Sequence, residues 1–111
     1  MLVITDEMIG DAFAAINKRL CQIYGSPTYD ENAENREVNE LEYDLVELTD
    51  AHHAYDTGRL DKVLTKYIGR QWNVWNMAFP DMVYHVRAFS FDKAIRQCRK
   101  IDPDCNAAQP E

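Results

Sequence analysis

Residues 39–58, NELEYDLVELTDAHHAYDTG, gather six carboxylates and two adjacent histidines. Side chains of these types ligate divalent cations or carry protons between reacting groups. At the helical repeat of about 100° per residue they divide into two constellations. Glu40, Asp44 and Glu47 share one flank of an apolar stripe. Like charges at spacings of four and three repel by about 0.2–0.5 kcal/mol per pair. A magnesium ion would offset that repulsion. Lys62, Lys66 or Arg70 from the following segment would offset it equally well, so a salt-bridged surface flank is expected and no metal is required. The second constellation is His52 with Asp56 at i,i+4 and His53 adjacent. Such a pair can serve as a general base or as a metal ligand with its orienting carboxylate. His52, however, falls on the stripe Val38, Leu41, Leu45, Leu48, His52, Tyr55, where a hydrogen-bonded core histidine is expected. Glu42 and Asp56 lie on the opposite flank, and Asp50 points away from the core.

Other chemistries find less in the chain. There is no GxSxG elbow and no Walker-type loop. Cys98 has basic neighbours that can lower a thiol pKa, but its position on an apolar stripe marks it as a buried structural cysteine. Trp72, Trp75 and Phe79 beside Arg70 could stack nucleobases, yet the acidic segment next to them favours a core or a protein interface. No catalytic residue is assigned. The three cysteines, Cys21, Cys98 and Cys105, are odd in number and lack CxxC spacing. Neither a disulfide framework nor a zinc knuckle is expected from them, and reduced thiols in a cytoplasmic protein are the expected state.

The charge is unevenly distributed. The 111 residues carry a net charge of −7. Residues 26–61 hold eleven acids and two bases, and residues 62–101 hold eight bases and two acids. An acidic half repels phosphate backbones, and the basic half is too modest to read DNA, so no direct nucleic-acid binding is expected. No apolar run is long enough to span a bilayer, and the first residues, MLVITDEMIG, lack the basic region of a secretory leader. A composition of 46% hydrophobic and 28% charged residues suits one globular domain.

Four helices are expected to position these groups. Thr5 caps the first, Asp6 and Glu7 favour its N-terminus, and Ile9, Phe13, Ile16, Leu20 and Ile23 form its stripe. Gly25 is placed at its left-handed C-terminus. The second helix is the acidic one, capped by Asn35 or Asn39 and ended at Gly58. The third follows almost without a linker, carrying Leu60, Val63, Leu64, Tyr67, Gln71, Val74 and Trp75 on one face and Gly69 in its middle. The second and third helices are therefore expected to form an antiparallel αα-hairpin. Residues 81–89, DMVYHVRAF, suit a helix or an extended piece; helix is preferred because no partner strand stands out. Ser90 caps the last helix, which Pro103 closes. The expected architecture is an all-α bundle of four helices over residues 1–103, with residues 104–111 a flexible tail.

EVNE at Glu37–Glu40 and ELTD at Glu47–Asp50 resemble the paired acidic motifs with which all-α nucleoside triphosphate pyrophosphohydrolases hold magnesium. The resemblance assigns no catalytic residues; an alternative function is a magnesium-dependent nucleotide hydrolase that uses the Glu40, Asp44 and Glu47 cluster across a dimer. The chain departs from that pattern: both pairs fall on one helix, and the next segment, LDKVLTKYIGRQW, has lysines where a second acidic pair would lie. The expected function is instead that of a small acidic, non-enzymatic binding or regulatory protein, without cofactor. It would dock on another protein, a basic one by charge, through Glu31, Glu34 and Asp50 together with an exposed Trp72. Trp72 could also drive homodimerisation. A further alternative is an acidic mimic of nucleic acid that inhibits a DNA-binding protein, which requires the acids to stand in exposed rows.

Overall fold

In a computed structural model covering residues 1–111, the chain folds as α1 (Asp6–Tyr24), α2 (Arg36–His53), α3 (Thr57–Ile68), β1 (Arg70–Trp75), β2 (Val83–Ala88), α4 (Phe91–Ile101) and β3 (Ala107–Pro110). The three strands form an antiparallel sheet in the order β2-β1-β3. The fold is therefore mixed α and β, and the expected all-α bundle is incorrect.

α1, α2 and α4 begin where capping chemistry places them. Thr5, Asn35 and Ser90 each accept a hydrogen bond from the backbone N–H three residues on, satisfying a donor that has no partner within the helix. Asp56 does the same for α3, accepting from the Arg59 N–H at 3.2 Å. α2 ends at His53, and Gly58, expected as its terminus, lies inside α3. Gly25 does follow α1, but at φ −82°, so its conformation is right-handed.

α1, α2 and α3 pack on one another around Ile16, Leu48, Ala51 and Leu64, with Ile9, Ala12, Leu20, Val38, Leu41, Leu60 and Val63 completing the core. A second core lies between the sheet and α4, where Trp72, Val74, Val86, Ala88, Ala94 and Cys98 meet. The molecule is elongated, at 57 × 32 × 17 Å.

The third helix stops at Ile68 because of Gly69. This residue has φ +97° and ψ 171°, a conformation essentially reserved for glycine. A Cβ here would lie 2.2 Å from the carbonyl carbon of Ala88, so the missing side chain also lets β1 and β2 come together at their root. Beyond it the side chains alternate between the two faces of a strand. Trp72 and Val74 face α4, and Gln71 and Asn73 face away from it. Residues 81–89, expected to be helical, instead contain β2, paired from Arg70↔Ala88 to Trp75↔Val83. The C-terminal residues, expected to be loose, supply β3, paired with β1 from Trp72↔Pro110 to Trp75↔Ala107.

Cys98 and Cys105 form a disulfide, which corrects the expectation of reduced thiols; Cys21 is free and exposed. The bond ties the last turns of α4 to the segment that leads into β3. No helix is long and apolar enough to cross a membrane.

Candidate docking surface

The acidic flank of α2 faces α3, as the hairpin arrangement requires. Lys66 Nζ donates to Asp44 at 2.6 Å and also to Glu40. The Tyr67 hydroxyl donates to the same Asp44 oxygen. Arg59 bridges two further acids, donating from Nε to Glu47 and from Nη2 to Asp50, each at 2.6 Å. Hydrogen bonds from the Lys66 ammonium to Asp44 and Glu40 hold it well above its ordinary pKa. Burial, aided by the bond to Asp44, pushes the Tyr67 phenol upward. Glu40, Asp44 and Glu47 are thus occupied by cations of the protein itself. No three His, Cys, Asp or Glu side chains converge closely enough to hold a metal ion.

The other expected site residues are scattered. Asp50 was read as free but is held by Arg59. Glu31 and Glu34 are exposed in the α1–α2 connection. Glu37 and Glu42 of α2 are engaged by α1: Arg19 pairs with Glu37 and holds its carboxyl below the usual range, and Tyr24 donates to Glu42 at 2.7 Å. The histidines form no catalytic pair. His52 is half-exposed rather than in the core, with Nε2 3.8 Å from Asp6 Oδ1, and Asp56 is committed to its capping role.

Trp72 was expected on an exposed helix face. It is buried in a strand, donates from Nε1 to the Ala88 carbonyl at 3.0 Å, and meets Phe91 edge-on. The aromatic docking face read from the sequence is therefore absent.

A different apolar surface takes its place. The loop between β1 and β2, NMAFPDM, exposes Met77 (67%), Phe79 (63%) and Met82 (58%), and Val83 follows at 44%. These are four large apolar residues within seven positions. The loop backbone is nonetheless fixed. Buried Asn76 accepts from the Phe79 N–H on its carbonyl (2.9 Å) and from the Ala78 N–H on Oδ1 (3.0 Å). The Met82 N–H bonds the Phe79 carbonyl at 3.1 Å. Asn106, just before β3, accepts from the Met77 N–H at 2.9 Å. The apolar side chains are thus presented on an ordered support. The signal available in the sequence was a cluster of large apolar residues among the turn formers Asn, Pro and Asp, with no helical stripe to absorb them.

No protein family, curated protein or solved structure matches this chain.

Proposed function

We propose that this chain is a binding module that inserts the β1–β2 hairpin tip into an apolar depression on another protein. The observation that carries this reading is the exposure of Met77, Phe79, Met82 and Val83 on a hydrogen-bonded loop. Clustered apolar exposure of this kind marks interaction sites more often than scattered single residues do. Ordering the loop before binding lowers the entropy lost on association. The net charge of −7 and the exposed Glu31 and Glu34 favour a basic partner and a faster encounter at low salt.

The magnesium-hydrolase reading gains no support from the α2 acids, whose charge Lys66 and Arg59 already balance. The nucleic-acid-mimic reading needs those acids exposed in rows, and the same ion pairs weigh against it. Disulfides persist in oxidising compartments, so Cys98–Cys105 weighs against the cytoplasmic placement suggested by the cysteine count.

The test places a photo-crosslinking phenylalanine analogue at Phe79 and, in a separate protein, at Tyr43, an exposed residue of α2. The expected result is a discrete adduct from the Phe79 position that is lost when Met77→Asp and Met82→Asp are added. An adduct with a second copy of this chain would identify the partner as itself. Equal labelling from both positions, or none from Phe79, would contradict the proposal.

A further inference from the structure

The sheet order β2-β1-β3 leaves β2 with one side unpaired. The hydrogen bonds fix which of its backbone groups face that side. Glu111 N–H donates to the Gln71 carbonyl and Asn106 N–H to the Trp75 carbonyl, so the odd-numbered residues of β1 turn their backbone toward β3. The even-numbered ones, Arg70, Trp72 and Val74, therefore bond β2, and their register partners are Ala88, Val86 and Tyr84. Val83, His85 and Arg87 are left with N–H and C=O groups directed outward, and none of the turn, loop or cap hydrogen bonds reaches them. An open edge of this kind is a template for another strand.

A cleft of about 850 Å³ runs along this edge. It is lined from both faces of the sheet, by Val86 on the α4 side and by His85 and Arg87 on the other. The Arg87 guanidinium is turned to Asp61 and Thr65 of α3, so its backbone is the part offered here. One wall of the cleft is α4, with Lys93, Arg96 and Lys100. None of these three bases pairs with an acid of the chain, whereas Arg19, Arg59, Lys66 and Arg87 all do. The other wall is α1 and the end of α3, with Met8 and Ile68. The lining stretch of β2 and its continuation, residues 85–89, spans roughly 16 Å at about 3.3 Å per residue, room for a strand of about five residues.

We propose that this cleft is a groove for an extended acidic peptide of another protein, which adds a fourth strand beside β2. Its backbone bonds the outward groups of His85 and Arg87, and these bonds supply affinity. Side chains of an added strand alternate between the two faces of the sheet, and the two walls give the alternation its chemistry. Side chains on the α4 side meet Lys93, Arg96 and Lys100 and are acidic. Side chains on the other side meet Met8 and Ile68 and are apolar. Glu7 and Asp11, on the α1 wall, repel acidic residues from that side and so fix the register. Met77, Phe79 and Met82 do not line this groove, so it stands independently of the hairpin tip.

The probe is a blocked pentapeptide alternating glutamate and valine, titrated into the intact ¹⁵N-labelled chain. The expected result is a saturable shift of the His85 and Arg87 backbone amides, with their hydrogen exchange slowed, and neither effect with the lysine–valine counterpart. Two further peptides carry backbone N-methyl groups, one on its glutamates and the other on its valines. Each lacks the N–H donors of one strand edge, so one of them should bind about tenfold more weakly than the other. Lys93→Gln/Arg96→Gln/Lys100→Gln, at exposed positions, should keep the fold and weaken the acidic peptide about tenfold. Equal affinity of the two methylated peptides would show attraction between side chains without strand addition, and overturns the proposal. So do unmoved His85 and Arg87 amides, equal binding of the lysine–valine peptide, or an undiminished affinity in the triple variant.

Discussion

Gly69→Ala should be among the most damaging single-methyl changes the chain can undergo. Three costs combine at this position. The backbone at φ +97°, ψ 171° lies where a residue with a Cβ is strained by about 1–3 kcal/mol. The new methyl would lie 2.2 Å from the Ala88 carbonyl carbon and 2.3 Å from its oxygen. Backbone, not a flexible side chain, must retreat, and forced packing of this kind costs about 1–3 kcal/mol. The retreat also moves the carbonyl that accepts from Trp72 Nε1, at about 1 kcal/mol for a typical hydrogen bond. Together the loss is about 3–7 kcal/mol, against a stability of roughly 6–17 kcal/mol for a chain of this length. Urea unfolding followed by circular dichroism measures it, and the melting temperature should fall by roughly 13–30 °C. Gly10→Ala is the control: it lies within α1 with nothing within 4 Å of its Cβ position, and should stabilise by about 0.5–1 kcal/mol. A Gly69→Ala protein within about 0.5 kcal/mol of wild type would refute the account of how α3 passes into β1.

Leu48→Ala, at a fully buried position in the helical core, should cost about 2–5 kcal/mol in the same assay; a loss below about 0.5 kcal/mol would remove α2 from the core. Lys66 and Tyr67 both have folded-state pKa values raised above their unfolded values, so the stability they contribute is complete below the ordinary ammonium and phenol range near pH 10 and is lost as pH rises through and beyond it. The urea midpoint should therefore fall above about pH 10, with a shallower fall in Tyr67→Phe, and a midpoint constant to pH 11 would contradict the Asp44 cluster. Reducing Cys98–Cys105, a bond across seven positions, should lower stability by about 2–3 kcal/mol, and a melting curve unchanged by reductant would show that the bond contributes nothing.

The helical half was legible because its signals are local. Thr5, Asn35 and Ser90 each announce a start through their own side chains, and the stripes of α1 and α2 are long enough to fix a period. The sheet was not legible because each strand is meaningful only beside the others. Gln71, Val74 and Trp75 continue the helical spacing set by Leu60, Val63, Leu64 and Tyr67, and the alternation Trp72/Val74 covers too few residues to outweigh it. Gly69 carried the decisive information but reads equally well as a tolerated mid-helix glycine until Ala88 is seen against it. β3, four residues of AAQP, has no strand signature of its own and is held by pairing with β1. The charge layout fared better, since Lys66 meets Glu40 and Asp44 across the hairpin. Arg59 was not counted among the expected bases, and it removes Asp50 from the free surface. The hairpin tip is illegible for the same reason as the strands: Met77, Phe79 and Met82 become a surface only once β1 and β2 support them.

The claim that this tip is a docking surface rests on its side chains contributing to binding and not to the fold. The most direct measurement compares wild type with Met77→Asp/Phe79→Asp/Met82→Asp, recording the urea midpoint and the affinity for the purified protein captured through Phe79. The account predicts unfolding within roughly 0.5 kcal/mol per substitution, as for surface changes, and an affinity reduced at least about 30-fold, the loss expected when an apolar anchor worth 2 kcal/mol or more is removed. A variant that binds at wild-type affinity, or that unfolds as readily as Leu48→Ala, would contradict it.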